Sequence, residues 1–205
     1  MLRLNRKENV TIIKKIVFSA LILSLIMVTK IIESFIPDLP NGLGNIAKLS
    51  EITILLSSII FGPIITLISV LIYISLISPI FSSFLISGIF YVEKIESRIG
   101  VYFLDYFIPL ILISLVGLGN KFKNHYIYLF AYLMTFLVLI SHSISGIIFF
   151  KEYLEPIIKK DIFYFLLSFG LNLLGYIIFF VGLPLYIYLA KKLNKNFSSK
   201  LKSGF

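Results

Sequence analysis

The chain contains no cysteine and no tryptophan, and only 14% of its 205 residues are charged. Without cysteine it can form no disulfide, thiolate metal site or cysteine nucleophile. Charged residues make up roughly 25% of an ordinary soluble domain, and here their scarcity accompanies a hydrophobic fraction of 59% and a mean hydropathy of +1.01. A soluble domain of this length cannot bury so much apolar surface, so the composition predicts an integral membrane protein.

Sequence motifs of common enzyme classes are missing as well. There is no G-x-x-x-x-G-K-[ST] loop, which excludes ATP hydrolysis by a phosphate-binding loop of that type. Neither H-E-x-x-H nor G-x-S-x-G occurs, and no cluster of acidic and histidine residues is dense enough to suggest a metal. The basic residues behind the net charge of +9 flank apolar segments, which is typical of membrane topology rather than of nucleic-acid binding. We therefore expect no enzyme activity, no cofactor in this chain and no nucleic-acid partner.

Six apolar segments predict six transmembrane helices, because lipid requires backbone groups to form hydrogen bonds within their own segment. A tight turn at Gly62–Pro63 separates the second segment from the third, which can extend beyond Pro79. No internal repeat divides the chain, so residues 1–205 predict a single domain, an all-α membrane protein folded as a compact six-helix bundle. The predicted spans cover about residues 12–32, 46–61, 64–77, 101–118, 126–150 and 163–189.

Acidic and basic residues separate to opposite ends of these segments. With both termini cytoplasmic, twelve of the 19 Lys and Arg lie inside and nine of the 10 acidic residues lie outside, so the net charges are 12 − 1 = +11 and 7 − 9 = −2. This bias predicts a multi-pass plasma-membrane protein. Its slightly acidic outer side suits the capture of a ligand from outside, and a cation is one such ligand. The outer acids are Glu33, Asp38, Glu51, Glu93, Glu96, Asp105, Glu152, Glu155 and Asp161.

Two ionisable residues within apolar segments are candidate functional groups, because charged groups in a membrane are costly and by default mark a function. Asp105 lies near the outer end of the fourth segment, and His142 lies in the outer half of the fifth. Since these segments run in opposite directions, the two side chains can meet at a similar depth. Such a pair can bind a cation, carry a proton or satisfy only its own hydrogen bonds, and Asp105 can alternatively reach water at the interface.

Small and polar residues surround His142. The segment SHSISG at 141–146 presents serines and Gly146, which either permit close helix packing or line a cavity. Phe150 follows His142 by two helical turns on the same face. A polar stripe at i, i+4 and i+8 runs along the sixth segment, and its members are Tyr164, Ser168 and Asn172. A carboxylate, an imidazole, an amide, phenols and a ring together suit a flat, polar, cationic heterocycle.

Three blocks of sequence resemble the thiamine-specific S component, the substrate-binding membrane subunit of energy-coupling factor (ECF) vitamin transporters. Asp105–Tyr106, followed by Pro109, is similar to the acid–tyrosine pair that opens the family's fourth helix. HSISGIIFFKEY at 142–153 is similar to the family's H-x-x-(S/A)-G-(I/V)-I-F-(W/F)-x-x-Y pattern. Gly62–Pro63 resembles the turn between the family's second and third helices.

The resemblance implies a six-helix bundle that holds its ligand near the outer surface, beneath the first outer loop. Phe150 occupies the place of a tryptophan with which family members often stack the ligand. The family's pocket asparagine is expected about five residues after Tyr164, where this chain has Phe169, and Asn172 can substitute for it. The implied ligand-binding residues are Asp105, Tyr106, His142, Gly146, Phe150, Tyr164 and Asn172.

The expected function is high-affinity capture of thiamine or a similar vitamin and its delivery inward. The resemblance implies as partners a transmembrane coupling subunit and two ATPase subunits, which use the ATP. An S component for another vitamin or precursor, such as a pyrimidine moiety or riboflavin, is the nearest alternative. A proton-coupled carrier or a small membrane enzyme that uses Asp105 and His142, and a purely structural membrane protein, are the alternatives outside that class.

Overall fold

A computed structural model describes residues 6–36, 48–80, 94–122, 126–149 and 161–202, with side chains from 12 to 195 within these ranges except those of 161 and 162. Phe150 lies outside the described residues, as do most of the connections between predicted spans one and two, three and four, and five and six. The described part of the chain forms six helices. They are α1 (Arg6–Ser34), α2 (Leu49–Phe61), α3 (Pro63–Ile80), α4 (Ile95–Lys121), α5 (Tyr126–Phe149) and α6 (Asp161–Lys202).

Five of these six described helices are long and apolar enough to cross a membrane, and α2 is the exception. With 13 residues, α2 is about 20 Å long at 1.5 Å per residue, which is shorter than the roughly 30 Å hydrocarbon core. The prediction of an all-α, multi-pass membrane protein is therefore confirmed, with five long helices and a shorter sixth. The cytoplasmic location of the termini remains a prediction.

The predicted turn between the second and third segments is present at Gly62. This residue has φ 97° and ψ 154°, a backbone conformation that a side chain with a Cβ rarely adopts. Pro63 then occupies the first turn of α3, where its missing N–H would have had no helical partner. As the sequence allowed, α3 continues past Pro79 to Ile80. In contrast, α6 extends well beyond the predicted end of the sixth span at 189.

The short helix α2 occupies the centre of the described bundle. It contacts α1, α3, α4 and α6, while α5 packs against α4 and α6. Seven of its 13 residues are buried, and four of them are polar: Ser50, Glu51, Ser57 and Ser58. Because its neighbours cover it, α2 can carry these polar side chains without exposing them to lipid. Apolar side chains of the long helices, including Ile16 and Val181, are exposed on the outside.

Two long helices contain a π-helical segment, in which the backbone is locally wider than in an α-helix. One comprises Tyr73–Ile77 in α3 and the other Tyr102–Phe107 in α4. The Tyr102 hydroxyl donates a 2.8 Å hydrogen bond to the Ile74 carbonyl and so connects the two segments directly. Short π segments within α-helices are frequent at functional sites, and the second one contains Asp105.

Candidate functional site

Asp105 of α4 and His142 of α5 form a pair, as their positions in antiparallel segments predict. His142 Nδ1 lies 2.9 Å from Asp105 Oδ1. The side chains are 10% exposed for His142 and 18% for Asp105, so the pair is largely enclosed but still reachable from outside. The contact is a hydrogen bond in any case, and it becomes an ion pair when the imidazole is protonated.

Two serines beside His142 donate hydrogen bonds to α4, one to its backbone and one to the Asp105 carboxylate. Ser145 Oγ donates to the second carboxylate oxygen of Asp105, Oδ2, at 2.7 Å. Ser141 Oγ donates to the Leu104 carbonyl at 2.6 Å, inside the π-helical segment. Both oxygens of Asp105 therefore have donors on α5, and Asp105 is held in one orientation. The small polar face predicted from the segment 141–146 thus contributes directly to the candidate site.

From His142 the hydrogen bonds continue into α6 and α2. His142 Nε2 lies 3.1 Å from the Tyr176 hydroxyl, which lies 2.7 and 2.6 Å from the two carboxylate oxygens of Glu51. Lys48 Nζ lies 3.9 Å from Glu51 Oε1 and 4.8 Å from the centre of the Tyr176 ring. We refer to this series of six side chains as the polar chain. Its members in order are Ser145, Asp105, His142, Tyr176, Glu51 and Lys48.

Hydrogen counting limits where the protons of the polar chain can lie. Tyr176 has one hydroxyl proton, so it cannot donate to Glu51 and His142 at the same time. When it donates to Glu51, its oxygen can accept a hydrogen bond from His142 Nε2, and a further proton lies between His142 Nδ1 and Asp105. When Glu51 is protonated instead, Tyr176 can donate to a neutral imidazole. A proton can therefore occupy either end of this hydrogen-bonded series, and Lys48 beside Glu51 favours the first arrangement.

Gly146 and two polar residues of α6 have structural partners. A Cβ on Gly146 would lie 2.1 Å from Ser168 Oγ, so the missing side chain allows α5 and α6 to approach closely. Ser168 Oγ donates to the Ser143 carbonyl at 3.0 Å across this contact. Asn172 Nδ2 donates to the Ser168 carbonyl of its own helix at 2.9 Å. The partner that an asparagine in mid-span requires is therefore the backbone one turn earlier.

The remaining predicted ligand-binding residues are aromatic. Tyr164 is buried, at 5% exposure, and Tyr106 is half-buried beside Asp105. Phe169 stacks on Phe165, with ring centres 5.9 Å apart and an interplanar angle of 20°. The structure thus joins Asp105 directly to His142, with Tyr106 adjacent in sequence. It places Gly146 at the contact between α5 and α6, and it pairs Asn172 with the backbone of its own helix.

Sequence reasoning missed Glu51 and Tyr176 as parts of the site. Glu51 was counted only as one of the outer acids, although it is the one charged residue of α2 and lies in the first turn of that helix. Tyr176 continues the predicted i, i+4, i+8 stripe of Tyr164, Ser168 and Asn172 by one further step. Extending that stripe by four residues would have found the tyrosine. Its pairing with Glu51, 125 positions away, depends on how α2 and α6 pack.

A second group of polar side chains lies next to the polar chain, on the α1 side of α2. The Ser50 backbone N–H donates to Glu33 Oε1 at 2.5 Å, and Ser50 Oγ donates to Glu33 Oε2 at 3.1 Å. Lys30 Nζ lies 2.9 Å from the same oxygen. Ser50 and Glu51 are consecutive, so the start of α2 contacts α1 through one residue and α6 through the next.

The fold and these contacts define a class: an all-helical, multi-pass membrane protein with charged side chains buried toward one end of its bundle. At that end α1 and α5 finish, and α2 and α4 begin. No protein-family model matches the chain, and no curated protein is significantly similar to it. The relation to ECF S components therefore remains a resemblance, carried by the residues quoted above.

Proposed function

We propose that this chain captures thiamine, or a similar cationic vitamin, outside the cell and delivers it inward as the S component of an ATP-driven ECF transporter. The observation that supports the proposal most is the 2.9 Å contact between Asp105 and His142, the acid and the histidine that the resemblance assigns to the ligand site. On this proposal the chain lies in the plasma membrane. A transmembrane coupling subunit and two ATPases provide the energy.

Asp105 is the group that recognises the positive charge of the ligand. A unit charge at about 4 Å is attracted by roughly 4 kcal/mol at an effective dielectric constant near 20, before the cost of desolvation. A cation beside Asp105 also competes with a protonated His142, because two positive charges next to one carboxylate repel each other. The neighbouring Tyr106 supplies a phenol for stacking or orientation, and Phe150 is assigned the same role by the resemblance.

The polar chain also provides a way for the ligand to influence the bundle. It joins α4 and α5 to α6 and α2 through side-chain hydrogen bonds. A ligand that draws Asp105 away from His142 changes what His142 can donate to Tyr176, and therefore what Tyr176 can donate to Glu51. Ligand binding at Asp105 therefore changes the hydrogen bonds of Glu51 on the central helix α2. We propose that this change allows the coupling subunit to distinguish the loaded chain from the empty one.

The test is calorimetric titration of the detergent-purified chain with thiamine, its neutral pyrimidine fragment and riboflavin. We expect micromolar or tighter binding of thiamine. Asp105→Asn should weaken thiamine by about 100-fold, because the variant loses most of the roughly 4 kcal/mol of charge attraction, less the cost of desolvating the carboxylate. It should affect the neutral pyrimidine fragment far less. Glu96→Gln is the matched control, because this exposed acid lies on the same helix near the same end and its loss should leave both affinities unchanged.

Two results would contradict the proposal in different ways. If Asp105→Asn weakens the binding of thiamine and of the neutral pyrimidine fragment equally, the carboxylate does not recognise the positive charge of the ligand. A chain that binds no thiamine but binds riboflavin or the pyrimidine fragment would remain a vitamin-binding protein with a different substrate.

A proton-coupled carrier is the second candidate, and the continuity of the polar chain favours it. Protons can exchange between Glu51 and Asp105 through Tyr176 and His142, because neighbouring members lie within 3.1 Å of each other. Liposomes separate the two functions. A carrier transports thiamine by itself when a pH gradient is imposed, whereas an S component takes up none until the coupling subunit and the ATPases are added.

A further inference from the structure

Tyr73 of α3 has a buried hydroxyl group that the rest of the described structure leaves unsatisfied. The residue is 3% exposed, and its hydroxyl has no hydrogen-bond partner among the described residues. Buried hydroxyl groups are nearly always paired, because removal from water without a compensating hydrogen bond is unfavourable. By contrast Tyr176, which is equally buried, has partners on two helices.

Two charged residues of one neighbouring helix lie near this hydroxyl. Lys30 and Glu33 of α1 are the ionisable residues that act on it electrostatically. Glu33 accepts hydrogen bonds from Ser50 at both carboxylate oxygens and from Lys30, so its negative charge is well compensated. Lys30 uses one of its three N–H groups on Glu33, and its side chain is 26% exposed. The Tyr73 hydroxyl and the remaining N–H groups of Lys30 are therefore donors that the hydrogen bonds given above do not use.

The Tyr73 position is connected to the Asp105 pair. Tyr73 begins the π-helical segment of α3, and Asp105 lies in that of α4. The hydrogen bond from Tyr102 to the Ile74 carbonyl joins the two segments one residue beyond Tyr73. In addition, Tyr106, which follows Asp105, is close enough to Lys30 to interact with it electrostatically. Tyr106 is thus adjacent to Asp105 in sequence and near Lys30 in space.

We propose that Lys30 and Tyr73 form a second subsite, which binds a hydroxyl group of the ligand while Asp105 binds its cationic ring. The inference rests on the proposed function, because it states which residues bind the hydroxyl group of thiamine. The charges of Lys30 and Glu33 cancel, so the subsite suits a neutral oxygen that both accepts and donates hydrogen bonds. A doubly charged phosphate ester would lie close to the Glu33 carboxylate, and it binds more weakly than the alcohol.

The experiment compares three ligands on two proteins by calorimetry. The ligands are thiamine, an analogue in which hydrogen replaces the hydroxyl group, and thiamine monophosphate; the proteins are the unmodified chain and Tyr73→Phe. The unmodified chain should bind the deoxy analogue about tenfold more weakly than thiamine, as expected for one lost hydrogen bond. Tyr73→Phe should bind both with the same affinity. Thiamine monophosphate should bind the unmodified chain more weakly than thiamine does.

Tyr102→Phe is the matched control, because it removes a tyrosine hydroxyl nearby whose partner is known. This variant should keep the tenfold preference for the alcohol and melt at a lower temperature. Without ligand, Tyr73→Phe should melt at the same temperature as the unmodified chain or higher, because it removes a buried hydroxyl that has no partner.

The outcomes separate this proposal from the one on which it rests. If the unmodified chain binds thiamine and the deoxy analogue equally well, or if Tyr73→Phe still prefers the alcohol, the subsite is overturned and vitamin capture stands. A clear drop in the melting temperature of ligand-free Tyr73→Phe also overturns it, because the hydroxyl would then have a partner in the protein. If neither thiamine nor its analogues bind the unmodified chain, both proposals fail together.

Discussion

The two ends of α2 are held by different kinds of hydrogen bond. At its start, Ser50 and Glu51 meet charged or polar side chains of α1 and α6. At its finish, Ser58 Oγ donates to the Ser114 carbonyl at 2.5 Å and accepts from the Gly117 N–H at 2.7 Å. The Ile59 carbonyl there accepts 3.2 Å hydrogen bonds from the amides of Asn120 and Asn194. The hydrogen bonds at one end therefore involve carboxylates, and those at the other end join neutral side chains to backbone groups.

We call the Ser58 end of α2 the rigid end and the Glu51 end the responsive end, because only the second can change its hydrogen bonds when a proton or a ligand binds. A neutral donor on a backbone carbonyl has one arrangement, so the Ser58 end fixes α2 against α4 and α6. The Glu51 end contains acids, a histidine and a tyrosine that share protons in more than one way, and each arrangement changes the charges in the bundle. Substitutions at the Ser58 end should therefore alter stability alone, whereas those at the Glu51 end should alter stability and ligand binding together.

The largest expected loss of stability comes from Gly117→Ala at the rigid end. A Cβ there would lie 2.1 Å from the Ser58 carbonyl oxygen, a backbone atom that cannot rotate away. We expect about 3 kcal/mol of destabilisation, as for severe overpacking, with no change in ligand selectivity. Thermal melting in detergent measures the effect.

Gly170→Ala in α6 is the control for Gly117→Ala, because a Cβ at Gly170 meets nothing within 4 Å. It should leave the melting temperature unchanged or raise it slightly, since alanine is the better helix former by roughly 0.5–1 kcal/mol. Similar melting temperatures for the two variants would mean that α2 and α4 are not closely packed at Gly117.

A smaller loss of stability is expected from Tyr176→Phe at the responsive end, and here binding should change as well. The substitution leaves Glu51 and His142 without their shared partner, which should cost about 2 kcal/mol because these groups are buried or nearly so. Thiamine affinity should fall with it, because His142 then holds Asp105 differently. Melting and calorimetry on the same preparation check both effects.

Tyr132→Phe tests whether the effect of Tyr176→Phe belongs to the polar chain. Tyr132 of α5 also donates to α6, through a 3.3 Å hydrogen bond to the Phe180 carbonyl, but it lies at the exposed surface. Its loss should change stability by less than about 0.5 kcal/mol and leave binding unaltered. If Tyr176→Phe is less stable but binds thiamine with unchanged affinity, the polar chain only stabilises the fold and has no role in ligand binding.

Apart from the control variants, the smallest effect is expected from Gly146→Ala. The added Cβ would displace Ser168 Oγ, which can rotate, so the main loss is the hydrogen bond to the Ser143 carbonyl. We expect about 1 kcal/mol, and the double variant with Ser168→Ala should lose little more than either single variant. Melting measures this coupling. A large fall in thiamine affinity that Ser168→Ala does not relieve would instead place Gly146 in contact with the ligand, as the resemblance implies.

Local features of the bundle and the central pair of the candidate site were predictable from the sequence. Gly62–Pro63 predicts a turn because glycine tolerates the positive φ and proline suits a first helical turn. Asp105 and His142 were expected to meet because each lies near the same end of neighbouring antiparallel segments, and they do. The short length of α2 was visible too, although its central position was not.

The π-helical segments and the longer connections of the site were not predictable in the same way. Nothing in the residues 73–77 or 102–107 distinguishes them from ordinary α-helix, since a π segment forms when neighbouring helices offer partners such as the Tyr102–Ile74 contact. The pairing of Glu51 with Tyr176 requires knowledge of which helices flank α2. Likewise, the unsatisfied hydroxyl of Tyr73 becomes apparent only when everything around it has been placed.

Composition and periodicity by themselves determined that this chain is helical, apolar and suited to a membrane, because lipid accepts few other backbone conformations. They also determined where the rare ionisable residues lie along the helices. Only the tertiary structure decided that α2 lies at the centre and that its consecutive residues Ser50 and Glu51 contact α1 and α6. The physical reason is that burial of charge depends on partners from distant segments, and only packing brings those partners within hydrogen-bonding distance.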